Sequence, residues 1–366
     1  MDAESPTRAC LRGDGVTPAE LRLAARNHAL PLEALRYPLT PPGLHFLLTH
    51  FDIPDVDPGA WRLGIGGNVE RSLSLSLDDL RARPAVTRAV TIECAGNGRA
   101  LLEPRPISQP WLSEAVGTAE WTGVPLGSVL ADAQLRDDVV EVLFTGLDRG
   151  IDGGVEQVYE RSLPIAEALG SDALLAYEMG GAPLPAQHGF PLRLIAAGWY
   201  GMAHVKWLSA ITALTEPFDG YQQTVGYRLY SATGEAGAPV TRMLPRSLTI
   251  PPGIPDFLTR DRILDRGACV LAGRAWSGRG AIVRVELSVD GGRTWEDAQL
   301  GAALGEHAWC GWSYEWDASR PGSHVVSSRA TDAAGNVQPL APQWNGRGYV
   351  NNAVERIPVT VRTGVA

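Results

Sequence analysis

The hydrophobic period of the chain changes once, near residue 245, and that change constrains the fold more than any other feature. Beyond it, apolar and polar residues alternate. Val283, Val285, Leu287 and Val289 are separated by Arg284, Glu286 and Ser288, the period of two that gives a strand one apolar face. Asp290-Gly291-Gly292 reads as a hairpin turn, and Thr294-Trp295 starts the return strand. Residues 325–330 form another strand, stopped by Asp332-Ala333-Ala334-Gly335-Asn336, and Ile357, Val359 and Val361 alternate in the last. Strands at this spacing, with no helix signal between them, predict an immunoglobulin-like β-sandwich over residues 246–366. Trp276, Trp295, Trp309, Trp312, Trp316 and Trp344 are assigned to its core and interface.

Before residue 245, helix starts are interleaved with strand-like runs. Thr17-Pro18-Ala19-Glu20 combines a Thr N-cap, a first-turn Pro and a Glu three residues after the cap, and predicts a helix over 18–29. Ser76 caps a short helix to Leu80, Pro125 opens one to Ala133, and a third runs over 164–169. Strands are expected at 89–92, 139–144, 174–177, 192–196 and 205–208. The fold class is therefore α+β: a mixed-sheet domain over residues 1–245, then the sandwich. The Pro-rich run from Leu244-Pro245 to Pro251-Pro252-Gly253-Ile254-Pro255 marks the join.

Composition excludes several functions. Lys+Arg number 32 against 41 Asp+Glu, a net charge of -9, which argues against generic nucleic-acid binding. Lys206 is the only lysine, so no phosphate loop ending in Lys-Ser/Thr exists and a Schiff base would have to use that one residue. No apolar run reaches the ~18 residues that span a bilayer. The acidic start Met1-Asp2-Ala3-Glu4-Ser5 is followed by no apolar leader core, so a cytoplasmic address is expected, with a periplasmic one open if a leader was removed. Cys10, Cys94, Cys269 and Cys310 lie too far apart for a zinc, iron–sulfur or haem spacing. Each is a small buried apolar residue unless its neighbours say otherwise.

Two segments carry chemistry. In Thr91-Ile92-Glu93-Cys94-Ala95-Gly96-Asn97-Gly98-Arg99 a strand runs into a Gly/Asn loop with a Cys at the junction, where sites tend to lie. Arg99, folded back, would lower the thiol pKa and favour the thiolate that a metal requires. In Pro185-Ala186-Gln187-His188-Gly189-Phe190-Pro191-Leu192-Arg193, continued by Gly198-Trp199-Tyr200-Gly201 and His204-Val205-Lys206-Trp207-Leu208, a His, an Arg and the lone Lys fall among glycines. That set suits a phosphate-bearing ligand with polar heterocyclic edges. The competing reading of the segment is a solvated loop with a snorkelling Lys.

On these residues the sequence resembles the sulfite oxidase family of molybdenum enzymes. The resemblance continues through Phe144-Thr145-Gly146-Leu147-Asp148, residues 159–168, Leu175-Ala176-Tyr177-Glu178-Met179, Ala275-Trp276-Ser277-Gly278, Val289-Asp290-Gly291-Gly292 and Trp344-Asn345-Gly346-Arg347-Gly348. It implies a molybdopterin-binding domain followed by an immunoglobulin-like dimerisation domain, with no haem domain in this chain. It implies Cys94 as the molybdenum ligand. His50, Asp148, His188, Arg193 and Lys206, with backbone near His204, would hold the pterin and its phosphate. Arg99, Trp111, Tyr159 and Arg279 would line an oxyanion pocket, Trp111 being placed by its ten-residue spacing to Trp121. The Gly-rich turn carrying Arg279 is one residue shorter than the family's.

One departure stands out. The family carries Arg-Asn-His where this chain has Leu48-Thr49-His50, so Leu48 replaces a pocket arginine. Loss of one charged hydrogen bond costs ~1–3 kcal/mol, up to ~100-fold in affinity for a dianion. The resemblance implies oxygen-atom transfer, first of all oxidation of sulfite to sulfate, with electrons leaving to a separate, unidentified acceptor. Leu48 keeps open the reverse chemistry, reduction of nitrate or a neutral sulfoxide. A non-catalytic cofactor-binding module is the reading from another class. The expected assembly is a homodimer through the C-terminal domain, without nucleic acid or membrane.

Overall fold

The computed structural model describes residues 15–363; Cys10 and the acidic start lie outside them. Helix α1 (Pro18–Arg26) begins where the sequence places it. Thr17 Oγ1 accepts from Glu20 N at 3.2 Å and Glu20 Oε2 accepts from Thr17 N at 2.9 Å, a reciprocal cap that satisfies two end donors. It stops before residue 29 because Asn27 is extended and accepts from Thr49 N at 2.7 Å. Helices α2 (Leu77–Arg81), α3 (Leu126–Ala133) and α4 (Ile165–Leu169) follow, α2 with a second capping box from Ser76 and Asp79.

Ten strands build the two sheets of the first domain: β1 (Leu63–Gly67), β2 (Leu73–Leu75), β3 (Val86–Glu93), β4 (Val116–Pro125), β5 (Glu141–Asp152), β6 (Val155–Pro164), β7 (Ala173–Met179), β8 (Ala182–Pro183), β9 (Arg193–Ala196) and β10 (Leu208–Leu214). One sheet runs β2-β1-β10-β5-β6, with β1 and β10 parallel and the other pairs antiparallel. The other runs β3-β4-β7-β8, with β9 also on β7. A short ribbon, β11 (Arg228–Tyr230) and β12 (Ala236–Pro239), follows. The mixed sheet is thus present, with one correction. Residues 205–207 form no strand. Trp207 takes φ +48°, a left-handed conformation that interrupts the pleat, and regular pairing begins at Leu208.

The second domain contains β13 (Arg246–Thr249), β14 (Ile254–Pro255), β15 (Arg262–Asp265), β16 (Ala268–Trp276), β17 (Ile282–Ser288), β18 (Glu296–Asp297), β19 (Gln299–Ala303), β20 (Cys310–Asp317), β21 (Gly322–Asp332) and β22 (Ile357–Arg362). They form two sheets, β13-β16-β20-β19 and β14-β15-β22-β21-β17-β18, that enclose Leu271, Val285, Leu287, Trp312, Trp316, Val326 and Val359, an immunoglobulin-like sandwich. The alternation in β17 is only half of what its sequence suggests. Val285 and Leu287 are buried, but Val283 is 55 % exposed, while Glu286 and Ser288 are buried on the opposite face. Trp276, Trp309, Trp312 and Trp316 are buried. Trp309 Nε1 reaches across to Pro38 O at 2.7 Å and Trp344 Nε1 to Pro104 O at 2.7 Å, so part of the tryptophan set joins the domains.

Candidate active site

The first domain brings seven separated segments to one cleft. His45, Phe46, Leu47, Leu48 and His50 come from the segment before β1, and Cys94 and Ala95 from the loop after β3. Asp148 and Tyr159 stand on β5 and β6. His188 and Arg193 flank the entry to β9, and Met202, His204 and Lys206 lie between β9 and β10. Tyr227 closes the wall. A concave site lined by apolar walls with a few convergent polar groups is the kind that binds an organic cofactor.

Lys206 Nζ donates to Leu48 O and to Gln187 O, each at 3.0 Å, and lies 4.3 Å from the centre of the Trp207 ring. Gly189 packs directly on Lys206: a Cβ there would fall 3.0 Å from the lysine Cβ, which explains the glycine in that loop. Arg193 stacks over Trp121 and donates to His188 O at 3.3 Å. The His204 ring is used within the protein, accepting from Ala196 N at 3.3 Å and meeting Trp199 O at 3.1 Å. His50 stacks on Tyr159, ring centres 4.8 Å apart, and its Nε2 meets Tyr227 Oη at 2.5 Å. Tyr159 Oη donates to Met202 O at 2.8 Å.

Burial sets the charges. It pushes His50 and His204 down to about 3 and His45 down to about 4, with neighbouring cations adding to the effect at each, so these imidazoles are neutral at pH 7. Burial, then Arg193, lowers Lys206 to about 7, and burial lowers Arg193 to about 9. Burial raises Asp148 to about 6 against the field of Lys206. At pH 7 Arg193 keeps its proton, Asp148 is mostly ionised and Lys206 sits near its midpoint. An anion bound there would restore both cations to their full charge.

The donor set fits a phosphate-bearing pterin. Arg193 Nε, Asp148 Oδ1 and His45 Nε2 are buried without a hydrogen-bond partner, and a heterocycle with a phosphate offers acceptors and a donor to such groups. Cys94 is buried and takes part in no group of metal-ligating side chains. Among the described residues that arrangement occurs only at Asp172, Glu306 and His307, so the cleft is no all-protein zinc site. It offers one sulfur ligand to a metal brought by another molecule.

The structure corrects the expectation for the Cys94 thiol and places the four expected pocket residues. Burial raises the Cys94 thiol and outweighs the lowering field of Arg99, so the free thiol keeps its proton at neutral pH. Of the four residues expected to line an oxyanion pocket, only Tyr159 stands on the cleft wall. Arg99 is buried behind it, with Nε on Arg347 O at 2.8 Å, Nη1 on Gln109 O at 3.0 Å and its plane over Tyr349. Trp111 packs in the same apolar cluster as Cys94 and Leu48. Arg279 is exposed and away from the cleft. The short turn carrying it is drawn down by Gly278, where a Cβ would fall 1.8 Å from Gly198 O, and Arg279 N is tied to Ser277 Oγ at 3.1 Å. Leu48 does line the cleft, so its own side chain brings no charge to that wall.

Sequence reasoning missed His45, Phe46, Met202 and Tyr227. The run His45-Phe46-Leu47-Leu48 adjoins Leu48-Thr49-His50, and proximity to it was the one available signal. Tyr227, in an irregular segment, has none.

Comparison with known proteins gives the same picture. Residues 50–222 match the family described as the oxidoreductase molybdopterin binding domain, and residues 256–362 the Mo-co oxidoreductase dimerisation domain. The mitochondrial sulfite oxidase of Mus musculus is 36 % identical over 343 residues, covering 88 % of this chain and 62 % of that protein. The sulfite oxidase of Gallus gallus is 35 % identical over 339 residues, 87 % of this chain and 72 % of that protein. The chain thus spans less than two thirds of the mouse protein's length. Among solved structures, the sulfane dehydrogenase SoxCD from Paracoccus pantotrophus aligns with a TM-score of 0.79 at 26 % identity, over 96 % of this chain and 89 % of that one.

Proposed function

The chain belongs to the sulfite oxidase family of molybdenum-cofactor oxidoreductases, and from that premise we propose that it oxidises sulfite to sulfate at the Cys94 cleft. The observation that carries the proposal is the convergence of a buried thiol with Arg193, Lys206, His188 and Asp148 on one cleft. Sulfite and water give sulfate, two protons and two electrons. The molybdenum–pterin group, when bound, supplies the oxygen-atom transfer and takes up the electrons.

The chain's own residues have distinct parts. Cys94 would bind the metal through sulfur. Arg193 and Lys206 would hold the phosphate, while His50, Asp148, His188 and the backbone at His204 would hold the pterin edges. Burial raises the Tyr159 phenol well above its ordinary value, so it keeps its proton at neutral pH and serves as a hydrogen-bond donor, not a base. Leu48 and Phe46 exclude water on the facing wall. The electrons pass to a separate acceptor. We further propose that the exposed Phe257 and Leu258 of the second domain, 83 % and 85 % accessible, are covered in a homodimer.

A second reading is favoured by one observation. Leu48 is on the wall and Arg279 is off it, so the substrate side of the cleft lacks two cations that a dianion would use. A less charged substrate then fits: a neutral sulfoxide or nitrate to be reduced, or sulfane sulfur of the kind named for the SoxCD relative. Steady-state assays of the molybdenum-loaded protein decide between them: sulfite with ferricyanide, against reduced dye with nitrate or a sulfoxide. Under the first reading sulfite turns over, and Leu48→Arg lowers its KM by ~10-fold or more, the value of one charged hydrogen bond. Turnover of a sulfoxide or nitrate without sulfite would replace the first reading by the second.

A further inference from the structure

The residue before Cys94 is a buried carboxylate bonded from both domains. Glu93 ends β3 and is 1 % exposed. Its Oε1 accepts from Asn97 Nδ2 and from Arg246 Nη1, each at 3.0 Å, and its Oε2 accepts from Trp276 Nε1 at 2.9 Å. Asn97 belongs to the Cys94 loop, whereas Arg246 opens β13 and Trp276 ends β16 of the second domain. Arg246, also 1 % exposed, donates further to Asn351 O at 2.9 Å.

The loop itself is held from the same side. Val350 N donates to Ala95 O at 2.8 Å, Asn351 Nδ2 to Gly98 O at 2.7 Å, and Arg99 Nε to Arg347 O at 2.8 Å. Within the loop, Asn97 N donates to Cys94 O at 2.9 Å, and Asn97 Oδ1 accepts from Ala115 N at 3.0 Å. The Cys94 backbone is therefore tied to the second domain on both sides, directly at Ala95 and through the Glu93 carboxylate with Asn97.

A buried ion pair is a poor device for joining two domains. Desolvation of both charges offsets most of their attraction, and apolar packing would join them as firmly. What three directional donors on one carboxylate add is register: each fixes one lone-pair direction, and together they fix the end of β3. We propose that Glu93 is a positioning residue for the Cys94 sulfur. Through Arg246 and Trp276 the second domain forms part of the metal-binding loop and is not only an assembly surface. The inference rests on Cys94 being the metal ligand.

The test uses the full chain loaded with its cofactor. Glu93→Gln keeps the shape but turns an N–H toward one of the three donors, so at least one bond is lost. Molybdenum content, the visible absorption of the sulfur–metal bond, kcat and KM are read together. The expected result is retained molybdenum, a displaced absorption band, and kcat lowered ~10-fold or more with KM unchanged within about twofold, as for a small misplacement of a reacting centre. Glu93→Gln with Arg246→Met leaves no buried charge unpaired. It carries the test if the single variant is unstable, and shows the same displaced band. A folded, loaded variant with the wild-type band and wild-type kcat overturns the proposal. Cys94→Ser is measured alongside. An unchanged band there overturns the assignment of Cys94 itself, whereas a lost band there, with Glu93→Gln unchanged, overturns the positioning role alone.

Discussion

Lys206 is the only lysine in 366 residues, and its ammonium group bonds two carbonyls from segments far apart in sequence, at Leu48 and Gln187. An ammonium meets that pair of acceptors as a compact point charge, which a planar guanidinium does not reproduce. Burial and Arg193 lower its pKa from 10.5 to about 7 in the folded, cofactor-free protein. Between those values the unfolded chain holds a proton that the folded one has lost, so stability rises with pH through that window. Below pH 7 both states are protonated and the cost of the buried charge is fully present. The cofactor-free wild type therefore gains thermal stability relative to Lys206→Met as pH is raised from 7 to 10. Thermal melts of the two proteins check this, and a pH-independent difference would contradict it. The lysine was conspicuous in the sequence by its rarity. What could not be read there was its partner at Leu48, because the pairing depends on how the segment before β1 folds over the loop before β10.

At the scale of elements, legibility followed locality. Capping boxes are written in four consecutive residues, and both α1 and α2 start where Thr17 and Ser76 place them. Strand β3 and the Cys94 loop were visible because an apolar run ends in Gly and Asn. The long hairpin of β5 and β6 was only half visible. Its far end carries Ile151 at 72 % exposure, and exposed ribbons lose the alternation that burial imposes. Residues 205–207 look like a strand by composition, yet Val205 O accepts from Leu194 N and Trp207 adopts a left-handed backbone. Tertiary bonds there override propensity. Arg279 stands exposed on a turn one residue shorter than the family's and is not on the cleft wall. Side-chain direction at a turn depends on loop length in a way that residue type does not report.

At the scale of the whole molecule, the mixed-sheet and sandwich parts are not independent beads. Glu93, Trp309 and Trp344 each bond across the boundary, so the second domain supports the site as well as an assembly surface. An isologous dimer that covers Phe257 and Leu258 should dissociate when both become Asp, with the cofactor still bound. Sedimentation of the double variant reads this, and an unchanged mass would place the interface elsewhere. Among the described residues no helix is long and apolar enough to cross a membrane.

The central claim is that the cleft under Cys94 holds molybdenum on a pterin. The measurement that tests it most directly is the molybdenum and pterin content of the purified protein. Metal and pterin equimolar with the chain are expected in wild type. Folded protein recovered with neither, from cells that make the cofactor, would contradict it.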